Sequence, residues 1–398
     1  MSELDFYWDV SLYTKTTKET VSLWKECVCR LPGDTLFITG IGFDPRAYES
    51  FKILFDNKLP QESFYCLGLK SAAEAVGANS DQREIKNINK LKTYFGDRLK
   101  IEECLRTETQ STSLALCILL KKLEREDYFK RFNQIIVDIG AMPRVTFLTL
   151  IPILLNLFVG PNGELDKTNL LVIALENAEF DNSFTEHVID SQATFLHQYK
   201  GQGPSASPDL PGVWFPVMGA SRELELKTIQ RDIQKALKQE GVEVLPILPF
   251  PATNPRLSDE IIGRFYHVLF EEFEVNYSNL LYAAEDNPFH LYRRLMKSFV
   301  KYAKNFAVLG GGRFFVSPLS GKLMSVGAIL AIYEANRELS EEKNKAKTKL
   351  LTEKEKLGNF YFGVPLVEPN QYKVEKSKVD FSKAELSLLW LLGEAYES

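Results

Sequence analysis

The sequence predicts an α/β protein with two Rossmann-like parallel-sheet domains in tandem and with flanking N- and C-terminal helices. Short apolar runs typical of buried strands alternate with segments of helical periodicity along most of the chain. The runs are apolar on both faces, as expected for a parallel sheet that helices cover on both sides. The length of 398 residues fits two domains of about 150–200 residues each.

The alternation restarts after a segment dense in Gly, Pro and Ser, which is typical of an interdomain linker. The sequence therefore predicts an N-terminal helical extension at 1–30, a first Rossmann-like domain at 31–197, the linker at 198–212, a second Rossmann-like domain at 213–372 and a C-terminal helix at 373–398. The last helix is predicted because Ser382 is followed three residues later by Glu385, as in a capping box, and then by an apolar stripe.

The predicted elements follow in order along each domain. The first strand, residues 36–38, leads through Gly40 and Gly42 into a helix that Asp44 is expected to cap and Pro45 to begin. The further strands of this domain are expected at 63–69, 99–104, 134–138 and 169–175. Those of the second domain are expected at 213–218, 242–248, 279–284, 313–317 and 361–367. Residues 145–159 are strongly apolar but shorter than the ~20 residues that span a bilayer, so we expect a buried helix and no membrane partner.

Net charge and cysteine content limit the classes of function that we expect for this chain. The net charge of −5 argues against an extended nucleic-acid surface, which usually needs a basic face. The five cysteines form no CxxC pair, and the first residues lack the apolar core of a signal peptide. We therefore expect reduced thiols and a cytoplasmic location. The four histidines show no metal-ligand spacing, so no metal site is predicted.

Five predicted strand ends share one pattern, in which a turn with small residues or proline is followed by a basic residue at a helix start. These basic residues are Arg46, Arg144, Arg222, Arg256 and Lys322. Ligands of open parallel sheets bind at the carboxyl ends of the strands, where helix N-termini offer N–H groups to anions. The pattern predicts a phosphorylated, nucleotide-like ligand. The other expected contacts are Gly40, Gly42, Asp44, Ser320 and Gly321.

A purely structural role is the alternative explanation of this pattern, because each basic residue taken alone is more often a surface or ion-pair residue than a ligand contact. No loop matches GxxxxGK[ST], and the GxGxxG motif is incomplete because Gly40 and Gly42 are followed by Pro45 and Arg46 rather than by a third glycine. A P-loop kinase and an ordinary NAD dehydrogenase are therefore disfavoured. Phe43 and Phe250, which lie in loops at the predicted ligand edge, could stack a base.

Carboxylates at the strand ends are the candidate catalytic groups. Asp138 and Glu285 could transfer a proton or hold a ribose hydroxyl. Their alternative role is to cap the following helix or to pair with a nearby arginine. No serine lies in a GxSxG turn and no Cys–His pair can be placed, so the sequence predicts no nucleophile.

The segments GIGFDPR (40–46), DIGAMPR (138–144) and FVSPLSGK (315–322) give a loose family resemblance. With tandem Rossmann-like units and basic strand-end loops, the chain resembles the CARF- and SAVED-type ligand-sensing proteins of prokaryotic defence operons. The resemblance implies recognition of a nucleotide-derived signal, with Gly40, Arg46, Ser320 and Lys322 as contacts. Since no nuclease, protease or membrane effector motif is recognised, it also implies a partner protein that delivers the effect.

Three hypotheses follow. The first is a cytoplasmic protein that binds a phosphorylated, nucleotide-like ligand within a multi-protein, antiviral defence system. The second is a transferase or hydrolase that acts on such a ligand, with Asp138 or Glu285 as acid or base. The third is a non-enzymatic interaction scaffold whose basic loops are only structural.

Overall fold

The computed structural model describes residues 6–56, 60, 62–70, 74–77, 80–104, 110–160, 167–177, 184–189, 192–202, 210–220, 222–237, 242–374 and 380–396. The strands are β1 (Leu12–Thr14), β2 (Thr35–Ile41), β3 (Phe64–Lys70), β4 (Glu74–Gly77), β5 (Leu99–Glu103), β6 (Gln134–Asp138), β7 (Asn169–Glu176), β8 (Phe184–Ile189), β9 (Thr194–Lys200), β10 (Gly212–Val217), β11 (Glu243–Val244), β12 (Ile247–Pro249), β13 (Leu281–Ala283), β14 (Gly311–Pro318), β15 (Asn359–Leu366), β16 (Pro369–Val374) and β17 (Glu385–Leu392). The α-helices are α1 (Thr17–Glu26), α2 (Arg46–Leu54), α3 (Ser80–Phe95), α4 (Thr112–Arg125), α5 (Arg144–Phe158), α6 (Glu223–Leu237), α7 (Leu257–Tyr266), α8 (Pro288–Ala307), α9 (Lys322–Ala335) and α10 (Glu342–Lys345).

The chain forms two compact units that do not follow one another simply along the sequence. The first unit comprises residues 11–189 and 369–398, and the second comprises residues 1–10 and 190–368. Part of the segment expected to be a linker is structured, because β9 includes residues 198–200 and pairs with β15 of the second unit. Residues 203–209 of that segment lie outside the described part of the chain.

The first unit is built on a seven-stranded sheet in the order β1-β17-β7-β6-β2-β3-β5. The strands β7, β6, β2, β3 and β5 are parallel, and β17 is antiparallel to both of its neighbours. Counted in chain order, the parallel strands have the arrangement 3-2-1-4-5, which is the Rossmann order. A separate three-stranded sheet, β4-β16-β8, belongs to the same unit.

The second unit repeats this arrangement. Its main sheet has the order β13-β12-β10-β14-β15-β9, in which the first five strands are parallel and β9 is an antiparallel edge strand. The parallel strands again have the order 3-2-1-4-5. The predicted fold class is therefore confirmed, and each unit reverses its strand order between its first and fourth parallel strands: β2 and β6 in the first unit, β10 and β14 in the second.

The cores explain why these strands are apolar throughout. In the first unit, Phe37 of β2 packs edge-on against Phe51 of α2 with ring centroids 5.0 Å apart, and Phe51 packs against Phe95 of α3 at 5.2 Å. The apolar helix predicted at 145–159 is confirmed as α5, which is buried along most of its length. None of the described helices is long and apolar enough to cross a membrane.

The prediction of a helix at 373–398 is wrong for the described residues. Residues 385–392 form β17, which inserts between β1 and β7 and is buried from Leu386 onward. Its sequence, ELSLLWLL, is so rich in apolar residues that it is compatible with a helix that has one apolar face and equally with a fully buried strand. Pairing on both edges decides the outcome, because a central strand satisfies its backbone hydrogen bonds on two sides while burying both faces.

Candidate functional site

In both units the loops that follow the first and fourth parallel strands approach each other very closely. A Cβ added at Gly40, in β2, would lie 2.7 Å from the carbonyl oxygen of Ala141, after β6. A Cβ added at Gly219, after β10, would lie 2.6 Å from the carbonyl oxygen of Leu319, after β14. Because both neighbours are backbone atoms, only glycine fits at these positions. Gly42, by contrast, has nothing within 4 Å of an added Cβ.

Arg46 is buried and already paired with a carboxylate. It is 1% exposed, and its Nη2 and Nε donate to Asp44 Oδ2 at 2.7 and 2.9 Å. Asp44 Oδ1 also accepts from the backbone N–H of Arg46 at 2.9 Å, so the carboxylate fixes the start of α2. Of the two explanations that the sequence left open for Arg46, the structure provides direct contacts for the ion pair.

A side chain that the sequence analysis did not single out holds this loop in place. Asn87 of α3 is buried, and its Nδ2 donates to the carbonyl oxygens of Gly42 at 2.8 Å and Asp44 at 3.0 Å. No local sequence pattern could reveal this contact, because Asn87 lies more than forty residues from the loop. The conformation of the loop after β2 is therefore set by α3 as well as by its own sequence.

Asp138 lies under the same loops and is fully buried at the end of β6. Its Oδ1 accepts from the N–H of Gly140 at 2.9 Å, which shapes the turn that leads to α5. Thr39 lies opposite Asp138 in the β2–β6 register. The Thr39 hydroxyl is buried and has no hydrogen-bond partner among the described residues. These groups form a buried polar cluster beneath the β2–β6 switch point.

The helices that follow the fourth strands begin in the same way in the two units. Arg144 is the first residue of α5 and Lys322 is the first residue of α9, and both are half-buried. The preceding residues, Pro143 and Gly321, provide no side-chain cap, and neither helix has an acidic residue in its first turn. The first turn of each helix therefore supplies no carboxylate of its own to the partial positive charge at the helix start.

The other two predicted cations have different surroundings. The Nη1 of Arg222 lies 2.8 and 2.9 Å from the two carboxylate oxygens of Glu225, so it is ion-paired. Arg256 is exposed at the start of α7, whose first turn carries Asp259 and Glu260. The helix start beside Arg256 is therefore less suited to an anion than the start of α9.

Glu285 has a positioning contact in the second unit. It is half-buried after β13, and its Oε2 accepts from the N–H of Thr253 at 2.9 Å, which joins the loop after β13 to the loop after β12. Asp138 belongs to the first unit, so the two candidate acid–base residues lie in different units.

The carboxyl edge of the second sheet also carries exposed aromatic rings. Phe250, directly after β12, is 52% exposed, and Tyr282 of β13 is exposed beside it with ring centroids 6.2 Å apart. Tyr282 was missed from sequence because one aromatic residue inside a short apolar run normally indicates a buried position. Its exposure follows from the position of β13 at the edge of the sheet.

The opposite, amino edge of the first sheet contains an open cleft of about 540 Å³ whose lining includes Tyr65, Lys100, Tyr128 and Arg131. The Arg131 guanidinium lies 4.6 Å from the centroid of the Tyr128 ring, and Lys100 lies 2.9 Å from a carboxylate oxygen of Glu102. Both of these cations are already engaged with neighbouring side chains of the first unit.

The part of the chain that the structure describes holds no group of three or more His, Cys, Asp or Glu side chains arranged to bind a metal ion. No protein-family model matches the chain, and no curated protein matches it significantly. The function is therefore argued from the chemistry of the two carboxyl edges.

Proposed function

We propose that this protein binds a phosphorylated, nucleotide-like ligand at the carboxyl edge of its second sheet, as one component of a multi-protein system. The observation that carries the proposal is the start of α9. There a helix without an acidic first turn begins with Lys322, directly after the exposed Gly321. A helix N-terminus combined with a lysine is a common arrangement for binding phosphate.

The aromatic surface of the same edge supports a base-containing ligand. Phe250 follows β12, and α9 follows β14, with β10 between those strands. Neighbouring strands lie about 4.8 Å apart, so the two loops are separated by roughly 10 Å. That separation suits a nucleotide whose base stacks on Phe250 while its phosphate meets Lys322.

The first unit supports the proposal less strongly. Arg144 occupies the position equivalent to Lys322, at the start of α5. Arg46, the other predicted cation of that edge, is held by Asp44 and buried. We therefore assign the ligand to the second unit and give Arg46 a structural role.

The test is a calorimetric titration with a panel of mono-, di- and triphosphate nucleotides and cyclic dinucleotides. For a nucleotide that binds, Lys322→Ala should weaken affinity about tenfold or more, and Phe250→Ala should weaken it less. Lys349→Ala serves as the control, because Lys349 is exposed in the second unit and lies outside α9. Binding by none of the panel, or equal affinity in wild type and Lys322→Ala, would refute the assignment.

An interaction scaffold is the second candidate, and a specific observation favours it. Two of the five predicted cations, Arg46 and Arg222, are already paired with carboxylates. In a scaffold, the remaining basic residues would also serve only the fold. The triple variant Arg144→Ala, Arg256→Ala, Lys322→Ala would then bind every nucleotide of the panel as the wild type does. It would also retain any small molecule that copurifies with the wild-type protein, as identified by mass spectrometry.

A further inference from the structure

We infer that the outer face of α8 is a docking seam for an acidic helix of a partner protein. Four cations, Arg294, Lys297, Lys301 and Lys304, are exposed on this helix. They follow one another at intervals of three, four and three residues, so they form a single stripe on one face. At 1.5 Å per residue, the stripe is about 15 Å long.

No described acidic residue forms an ion pair with this stripe. The helix itself contains no Asp or Glu, and none of the four cations forms an ion pair with any residue that the structure describes. The cations of α6 differ, because Lys227 pairs with Glu272, and Arg231 and Lys235 both pair with Asp232. The cations of α8 thus differ from those of α6 in having no ion-pair partner among the described residues.

The rotation of α8 about its axis is fixed by the core, so the stripe cannot turn inward. The opposite face buries Leu291, Leu295, Phe299 and Ala303 completely. Packing of the opposite face fixes the backbone positions from which the four exposed cations project, so these positions are set before a partner binds.

The positive charges of the helix also affect His290, which lies one turn before Arg294. The pKa of His290 is lowered by burial and by the neighbouring positive charges of Arg294, Arg293 and Lys297. Arg293 points to the other flank, where its Nη2 donates to the carbonyl oxygen of Asp9 at 2.6 Å.

An apolar patch continues the stripe at its C-terminal end. Val308, four residues after Lys304, is 86% exposed, and the next residue, Leu309, is 62% exposed. Leu357, which is 81% exposed, lies in a neighbouring turn, since a Cβ added at Gly358 would lie 3.2 Å from the Cα of Ala307. Exposed apolar side chains beside a charged surface are typical of protein interfaces.

The arrangement favours a helix of a partner protein over other anionic partners. When Val308 is counted with the four cations, the mean spacing of the exposed positions is 3.5 residues, which is the spacing at which two helices pack along a shared seam. Acidic side chains at matching positions would complement the cations, and apolar residues at one end would cover Val308, Leu309 and Leu357. A nucleic-acid backbone presents mainly phosphate and sugar oxygens, which do not complement that patch. Membrane-surface helices turn a continuous apolar face to the lipid, whereas the apolar face of α8 is directed into the core.

The first part of the test uses a photo-crosslinking amino acid at position 301 of the full chain in its native cells. The control carries the same amino acid at position 121, where Lys121 is exposed on α4 of the first unit. We expect position 301 alone to crosslink to a net-acidic helical segment of a protein, identified by mass spectrometry. Crosslinks to nucleic acid or lipid, or a product pattern equal to that of position 121, would overturn the inference.

The second part measures affinity between the purified protein and the crosslinked protein. The double variant Lys297→Glu, Lys301→Glu should weaken binding about tenfold or more, and wild-type binding should weaken as salt is raised. The matched control is Lys121→Glu, Arg125→Glu, which makes the same charge change at the same spacing on exposed positions of α4. Equal affinity in the two double variants would overturn the inference.

Discussion

Gly40 of β2 and Gly42 of the following loop lie two residues apart, and a methyl group has different consequences at the two positions. At Gly40 the added Cβ would lie 2.7 Å from a backbone carbonyl oxygen, whereas at Gly42 nothing lies within 4 Å. We expect Gly40→Ala to lower the free energy of unfolding by about 1–3 kcal/mol, because backbone must shift to relieve the contact. Gly42→Ala should leave stability unchanged or raise it slightly.

Urea denaturation of the two glycine variants, followed by intrinsic fluorescence, measures this difference directly. If Gly40→Ala is as stable as Gly42→Ala, the close approach of the loops after β2 and β6 does not require a glycine. Loss of ligand binding in Gly42→Ala with unchanged stability would instead move the phosphate site to the first unit.

Glu334 makes the stability of the second unit depend on pH. It is buried on α9, where its carboxylate accepts from the N–H of Tyr7 and the hydroxyl of Tyr292. Burial raises its pKa from 4.5 to about 8. The folded state therefore holds a proton that the unfolded state releases at lower pH, so stability falls as pH rises from about 4.5 to about 8. The steepest slope is roughly 1.4 kcal/mol per pH unit.

The Glu334→Gln variant removes this titration and keeps the shape of the side chain. Its stability relative to wild type should increase with pH between about pH 5 and about pH 8 in urea titrations. The lowered pKa of His290 gives the opposite slope, but it contributes to both proteins and cancels in their difference. A difference that does not vary with pH would show that Glu334 titrates near its ordinary pKa.

The candidate site was only partly predictable from sequence at the residue scale. The strand-end positions of Arg144 and Lys322 follow from the alternation of strands and helices. The Arg222–Glu225 pair could have been anticipated from its spacing of three residues at a helix start. The pairing of Arg46 with Asp44 could not, because it depends on how the loop turns and on its burial under neighbouring elements.

At the scale of elements, the loop after β2 depends on α3 through Asn87. Replacing Asn87 with Ala would leave the half-buried carbonyl oxygen of Gly42 and the buried carbonyl oxygen of Asp44 without this donor. We expect a loss of about 1–3 kcal/mol in the free energy of unfolding. The control is Asn89→Ala, because Asn89 lies on the same helix with an exposed side chain.

Thermal and urea melts of the two asparagine variants provide the measurement. Equal stability of Asn87→Ala and Asn89→Ala would mean that water replaces the lost amide at no cost. Hydrogen exchange can localise the effect, since we expect faster exchange around residues 42–46 in the Asn87 variant only.

The strand β17 shows that local sequence patterns do not always determine whether a segment forms a helix or a strand. A run rich in leucine satisfies a helical stripe and a doubly buried strand equally well, and the capping box before it favoured the helix. The open edge of β7 decides between them, because it provides partners for the backbone of residues 385–392. That edge is formed by residues some two hundred positions earlier, which no local window contains.

At the scale of the whole molecule, the alternation of elements predicts two parallel sheets but not the connectivity of the units. Both sheets have the strand order 3-2-1-4-5, which reflects local rules of βαβ handedness and short connections. The return of the chain to the first unit at residue 369 depends on a long-range pairing instead. Contiguous domains at 31–197 and 213–372 were therefore the natural prediction from composition.

The two divisions of the chain differ in what they predict for a protein that ends at Glu368. That protein lacks β16 and β17, so β7 loses one of its two partner strands and the apolar residues beneath β17 are exposed. We expect hydrogen exchange to show lost amide protection in β6 and β7 and retained protection in β10 and β14. A chain ending at Tyr396 is the control, because it keeps every described strand. Full protection of β6 and β7 in the shorter protein would mean that residues 31–197 fold as an independent domain. The sheet would then be stable without β17.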